Sequence, residues 1–285
     1  QERIRAQTLA ALSPERLEQW QNDARARAQI ILHHLPCGRT IDLVEQFAEP
    51  WSLSLALAAT GAAPECAGKL YRLAAAISAS AAEPFDANLK ARAKKANSEL
   101  ARALGSSPIP MPGPAFVALS QTLPCFLANA WLALFRFPGE CARMRTQPEL
   151  LRSAVEELLR YAGIARMLFR QATAPVELCG LSMTQGDRAI LMLCSANRDP
   201  ARFAEPNRLD LARRQNPHVA LGAAPHSCAG GALIRKASAV AMAAFAENFV
   251  PAYDDALIQW KGGSGFRSPK SLHALRRPGP GVGSF

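Results

Sequence analysis

The residues with the clearest chemical content lie near the C-terminal end, in His218-Val-Ala-Leu-Gly-Ala-Ala-Pro-His-Ser-Cys228-Ala-Gly-Gly-Ala-Leu-Ile-Arg235. Cys228 follows a Gly/Ala/Pro-rich loop and opens an alanine-rich run with no helix breaker before Pro251. That arrangement puts the sulfur at a helix N-terminus, where unpaired backbone N–H groups and the positive end of the dipole favour a thiolate. A thiolate is an anionic metal ligand and one of the few protein ligands used for haem iron. Gly230 and Gly231 keep side chains off the first turn, so a flat macrocycle can approach the backbone. The same residues also read as a buried, inert cysteine before an ordinary helix.

Other segments must position such a loop. In Ala154-Val-Glu-Glu-Leu-Leu-Arg-Tyr161, Glu157 and Arg160 stand at (i, i+3) on one helix face, where carboxylate and guanidinium can pair and brace neighbouring backbone. Ten residues on comes Arg170, then Ala196-Asn-Arg-Asp-Pro-Ala-Arg-Phe203 and Pro206-Asn-Arg-Leu-Asp-Leu211. Taken with the cysteine loop, these four ordered segments resemble the cytochrome P450 superfamily over Leu127 to the C-terminus. Its haem-ligand signature, Phe-Gly-x-Gly-x-His-x-Cys-x-Gly, is matched at Gly222, His226, Cys228 and Gly230, whereas Leu221 and Ala224 replace the usual Phe and Gly. Upstream, Gln1 to Arg5 and Leu12-Ser-Pro-Glu-Arg-Leu17 are similar to the family's His-x-x-x-Arg helix and the turn behind it, with Gln1 in place of histidine. Ile41 to Ala48 resembles its Val-Asp-Leu-Val stretch, leading from a short strand or turn into a helix.

The resemblance implies a mainly α fold with small β-sheets and haem b as cofactor. Cys228 is then the axial metal ligand, whose electron donation favours O–O cleavage, and Leu221 shields its sulfur. Arg5, Arg170 and His226 neutralise the haem propionates. An acid–Thr pair in the long central helix normally supplies protons. Counting back from Phe126-Leu-Ala-Asn-Ala-Trp-Leu-Ala-Leu-Phe-Arg-Phe-Pro138 places Gln121-Thr122 there as candidate catalytic residues. Thr122 keeps the hydroxyl, Gln121 cannot ionise, and Pro124 removes a backbone N–H and is expected to kink or break the helix. Equally, Gln121 and Thr122 read as loop residues without a task.

The chain begins at the segment bearing Arg5, so the family's N-terminal sheet and substrate-covering loop have no counterpart in it. We expect one P450-like domain, 1–285, with a helical core over 1–170 and a small sheet with the haem-ligand loop and helix over 171–285. Either the chain is a fragment or it is an unusually short member of the family; in the second case an open distal side, or another subunit covering it, is expected. Two functions stay open: a monooxygenase oxidising a small organic molecule with dioxygen and electrons from an acidic ferredoxin-type partner, or a haem-binding relative without that activity. A chain with no haem at all is the third.

Composition agrees with one folded unit. The 285 residues are 49% apolar, enough for a sizeable core. No segment reaches eighteen consecutive uncharged apolar residues, so no membrane span is expected. The first residues lack the apolar stretch of a secretion signal. Seven cysteines without a C-x-x-C pair argue against a disulfide scaffold or zinc site and fit a cytoplasmic protein. The net charge of +10 favours acidic partners, yet with 7% aromatics there is no stacking platform for nucleic acid. Arg143, Arg145, Arg235 and Lys236 are candidates for a basic docking face, each reading equally as a solvated surface charge.

Helical spacing covers Leu17–Leu35 and Phe85–Leu104, the second with Lys90, Arg92, Lys94 and Lys95 on a solvated face. Ser106 to Pro114 is a Pro-rich break. Short strands are expected at Val176–Gly180 and Asp187–Leu193, flanking Met183–Gly186; the Gly/Ser/Pro tail from Gly262, with Ser271–Leu275 inside it, resembles the family's last hairpin.

Overall fold

A computed structural model describes residues 2–105, 113–223 and 226–278. Gln1, Ala224, Pro225 and most of the Pro-rich break lie outside the described residues. The order is α1 (Glu2–Ala10), α2 (Pro14–His34), β1 (Thr40–Asp42), a π-helical turn (Val44–Ala48), α3 (Glu49–Thr60), α4 (Ala67–Ala82), α5 (Ala87–Leu104), α6 (Gly113–Val117), a second π-helical turn (Ala118–Thr122), α7 (Leu123–Arg136), α8 (Pro138–Thr146) and α9 (Leu151–Ala162). There follow β2 (Leu168–Gln171), β3 (Val176–Leu178), β4 (Leu181–Met183), β5 (Arg188–Leu191), α10 (Leu193–Ala196), α11 (Gly231–Asn248), β6 (Phe249–Pro251), β7 (Trp260–Gly262), β8 (Arg267–Pro269) and β9 (His273–Arg276). The fold is mainly helical with small antiparallel sheets, as expected.

Capping sets the helix starts. Ser13 accepts the Arg16 N–H at 3.3 Å with Pro14 in the first turn, and Asp86 accepts the Leu89 N–H at 3.0 Å. The second cap starts α5 at Ala87, two residues after the expected Phe85.

The core centres on α7, where Leu127, Ala128, Ala130, Trp131 and Leu134 are fully buried. Phe47, Trp51, Trp131, Phe135, Phe245 and Phe249 pack around it with ring centroids 5.7–6.2 Å apart. Each such side chain contributes about 1.5–3 kcal/mol through burial. Gly113 to Arg136 forms one continuous 24-residue helix, apolar enough to cross a bilayer, but packed as this core element.

Pro124 does not break that helix. It lies inside that helix directly after a π-helical turn, and the wider turn carries the local irregularity that its missing N–H imposes. Gln121 and Thr122 are therefore helical, not loop residues.

The sheets depart from expectation in pairing. Cys179 and Gly180 adopt positive φ (52° and 77°), and this turn pairs β3 with β4. Strand β5 pairs with β2 instead, a strand the alternation did not signal. The tail from Gly262 is not one hairpin: β8 pairs back with β7, while β9, which carries His273–Leu275, joins β1 and β6 in a three-stranded sheet. Helix α11 packs on α2 and α9.

Candidate functional site

Cys228 lies three residues before α11 rather than in its first turn, because Gly230 is the helix N-cap. The loop is held by its own backbone: Cys228 N–H donates to Leu221 O at 2.6 Å, and Gly231 N–H to Cys228 O at 3.1 Å. Gly222 closes the turn at φ +74°, where a Cβ would come 2.8 Å from His226 O, so only glycine fits. Leu221 is half-buried against the core, and His226 is exposed.

The thiol differs from expectation. The residue is exposed, yet burial around its sulfur pushes the thiol up from its ordinary value. A hydrogen bond from the Gly230 backbone and the charges of Arg235 and Arg5 oppose this without overcoming it. A bound metal ion would itself supply the charge that deprotonates a coordinating thiol.

Arg5 reaches the loop from the far end of the sequence. Its guanidinium donates to the Ser227 carbonyl and, at 3.0 Å, to Ser227 Oγ. A Cβ on Gly230 would meet nothing within 4 Å, so the surface beside the sulfur is open. One sulfur, an adjacent arginine and a side-chain-free approach fit a thiolate-ligated group with anionic substituents. Arg170 lies on β2, donating to the Phe169 carbonyl at 2.9 Å.

Sequence reasoning missed the residues that anchor this loop. Glu156 accepts Arg235 Nε at 2.6 Å and Nη2 at 3.0 Å, and its other contact is His218 Nε2 at 3.0 Å. Against desolvation, which raises it, His218 and Arg235 hold the Glu156 carboxyl down to about 2. Asn197 Oδ1 accepts the Val219 N–H at 2.8 Å. His218 and Asn197 stood in the quoted segments, but nothing local told that they would meet.

Glu157 and Arg160 pair as expected, with both side chains fully buried. All five Arg160 N–H donors are used: two on Glu157 at 2.8 Å, and one each on the carbonyls of Asn197, Pro206 and Arg208. Glu157 also accepts from Arg213, Asn216 and the Asp210 backbone. The pair thus staples the irregular segment between α10 and the cysteine loop onto α9.

The four candidate docking cations are engaged within the protein. Arg143 pairs with Glu140, Arg145 donates to the carbonyls of Ala246 and Phe249, Arg235 pairs with Glu156, and Lys236 donates to Gln21. Lys90, Arg92, Lys94 and Lys95 on α5 are exposed, as read from the sequence.

Gln121 and Thr122 border a cavity of about 300 Å³ between α4, the central helix and the β7–β8 hairpin. Its walls include Glu49, Tyr71, Ala79, Ser120, Ile164, Lys261, Phe266 and Ser268, and, among the described residues, none from the Cys228 loop. Lys261 Nζ donates to Glu49 at 2.7 Å. Tyr71, beside the Gln121 amide, has its phenol pushed up by burial and then by Glu49.

The cytochrome P450 family profile matches residues 138–256. The biotin biosynthesis cytochrome P450 of Bacillus subtilis (strain 168) is 32% identical over 145 residues, covering 51% of this chain and 36% of the relative. The 20-oxo-5-O-mycaminosyltylactone 23-monooxygenase of Streptomyces fradiae is 39% identical over 127 residues, 45% of this chain and 30% of the relative. These matches span about a third of the curated relatives' length. In shape the likeness extends further: P450BioI, solved in complex with hexadec-9Z-enoic acid ligated acyl carrier protein, superposes with a TM-score of 0.87 over 97% of this chain and 79% of that one, at 23% identity. The Bacillus subtilis 168 bacillaene polyketide synthase cytochrome P450 PksS gives 0.83 over 97% and 79%, at 22% identity. The profile match contains both the Glu157–Arg160 node and the Cys228 loop: over 138–256 the chain is similar to the cytochrome P450 family, and the fold around that segment is the one the solved P450s share.

Proposed function

We propose that this protein is a haem-thiolate monooxygenase that oxidises a small organic molecule with dioxygen and electrons from an acidic ferredoxin-type donor. The observation that carries the reading is the exposed Cys228 in a glycine-flanked loop, with Arg5 fastened to the neighbouring Ser227. Cys228 would ligate haem b, with Gly222 shaping the loop, Gly230 leaving its approach clear and Leu221 lying against the sulfur's loop. Arg5, His226 and Arg170 would hold the propionates by charge-assisted hydrogen bonds, Arg170 after turning from the Phe169 carbonyl. Bound there, haem supplies dioxygen activation and oxygen transfer. The chain's own part is placement: the substrate would occupy the cavity bordered by Gln121 and Thr122, and the Thr122 hydroxyl would pass a proton to the reacting oxygen side. The formal charge of +10 supports an acidic donor, and the character of the bacterial relatives supports a cytoplasmic location.

Haem reconstitution tests this directly. The reduced, carbon-monoxide-bound protein is expected to show the strong red shift of a thiolate-ligated haem, and Cys228→Ser to lose it while retaining its fold by circular dichroism. A wild-type spectrum without that shift overturns the reading. Gln121 favours a second reading, because an amide carries no transferable carboxylic proton: a haem-binding relative without monooxygenation. A thiolate spectrum together with peroxide release and no product over a broad substrate panel selects it.

A further inference from the structure

A second cleft, of about 240 Å³, lies between the C-terminal half of α7, the end of α9, α10 and the β7–β8 hairpin. Five arginines line it, Arg136, Arg160, Arg166, Arg198 and Arg267, and among the described residues no carboxylate does. Two of the five have acidic partners: Arg136 pairs with Asp255 at 2.8 Å, and Arg160 with the buried Glu157. Glu157 is shared, because Arg213 also pairs with it. One carboxylate for two guanidinium groups leaves the floor of the cleft positive.

The other three arginines carry uncompensated charge. Arg198 is fixed by neutral partners: it donates to Asn207 Oδ1 at 3.0 Å and to the Tyr161 carbonyl at 3.1 Å, with its Cζ 4.1 Å from the Tyr161 ring centroid. Arg267 stacks in the same way on Trp260, 4.0 Å from the centroid, and its guanidinium has no hydrogen bond or ion pair among the described residues. The Arg166 guanidinium has none either, although its backbone is tied to Gly265 and to Cys194. Asn129 Nδ2 donates to the Arg267 carbonyl at 2.9 Å and so holds the hairpin against α7. Like charges gathered on one concavity repel one another, and an entering anion relieves that repulsion. A guanidinium stacked on a ring keeps its in-plane N–H donors, and that fork matches the oxygens of a phosphate. Three unpaired positive charges favour a dianion over a monoanion, and a phosphate group carries about −1.5 to −2 at pH 7. The cleft is smaller than drug-sized pockets of roughly 300–1,000 Å³, and arginines already cover the Tyr161 and Trp260 rings, so no face is left for a nucleobase.

We propose that this cleft is a phosphate site, taking the phosphate group of inorganic phosphate or of a small phosphomonoester between Arg166, Arg198 and Arg267. It stands apart from the haem reading, because none of its arginines is assigned to that cofactor. Arg267 also borders the larger cavity on the other side of the β7–β8 hairpin, so a phosphate that engages it steadies the hairpin between the two.

Calorimetric titration of the full chain at constant ionic strength compares inorganic phosphate, glycerol 3-phosphate and acetate. At about pH 7.5 inorganic phosphate is expected to bind about tenfold more tightly than acetate, and the advantage to shrink toward about pH 5.5 as phosphate loses its second charge. Arg166→Gln and Arg267→Gln are each expected to weaken phosphate about tenfold. Lys94→Gln removes the same charge from the exposed face of α5 and is expected to change binding less than about twofold. Arg166→Gln deletes a guanidinium without partners, so its circular dichroism should match wild type and its loss of binding reports the site. Equal or tighter binding of glycerol 3-phosphate assigns the ligand as a monoester, and weaker binding assigns it as free phosphate. Equal binding of phosphate and acetate, equal weakening by Lys94→Gln and Arg166→Gln, or no binding of phosphate overturns the proposal.

Discussion

The Glu157–Arg160 node and the wall around Gln121 are both buried and polar, but they are finished to different degrees. At the node, every guanidinium N–H has an acceptor, and Glu157 takes five hydrogen bonds from four residues. At the cavity wall, the Ser120 and Ser268 hydroxyls have none. A buried ion pair earns its place only when its remaining donors and acceptors are met, and then it fixes one arrangement of the chain. A wall left short of partners is unfinished as scaffold and open to a ligand. Saturation thus separates the part that holds the site from the part that receives something.

The largest expected effect breaks the saturated side. Arg160→Ala would leave Glu157 buried with a reduced set of partners and free three carbonyls of the following segment; a loss of about 3–5 kcal/mol is expected in urea denaturation. A loss below about 1 kcal/mol would mean that the node is not a structural fixture. One turn away, Glu156 links the cysteine loop to α9, and its folded-state value of about 2 lies below the ordinary 4.5. Its contribution is therefore full above about pH 4.5 and drains as the pH falls toward 2. Wild type is expected to lose about 1–2 kcal/mol more than Glu156→Gln between pH 5 and pH 2.5, the figure being reduced for partial exposure. Parallel acid limbs in the two proteins would remove His218 and Arg235 as its partners. The smallest effect belongs to the cavity. Ser268→Ala deletes a hydroxyl with no partner, so stability should stay within about 0.5 kcal/mol of wild type, where loss of a bonded buried hydroxyl costs about 1 kcal/mol or more. A cost above that would show that Ser268 is satisfied in solution.

How much was legible divides along the same line. Glu157 and Arg160 could be read because their pairing is local: three residues on a helix bring the two groups together whatever the rest of the fold does. The opening at Gly230 was legible for the same reason. Arg5 meeting Ser227 across 222 positions could be expected only from the resemblance. The thiol at Cys228 went the other way from its sequence reading because its environment is set by what packs around the sulfur, not by the next turn of helix. Pro124 misled through the same gap, since a π-helical turn before it absorbs the irregularity without ending the helix.

By itself, the sequence determined the helices, their caps, the Glu157–Arg160 contact and the ordered segments that mark the superfamily. Each depends on side chains within a few residues of one another, where backbone geometry leaves little choice. Only the tertiary structure decided that Glu156 ties the cysteine loop to α9, that the four candidate docking cations are spent internally, and that Tyr71, Gln121 and Lys261 share one cavity. Those meetings span tens to hundreds of residues, and burial, charge pairing and unmet hydrogen bonds exist only once the intervening chain has packed.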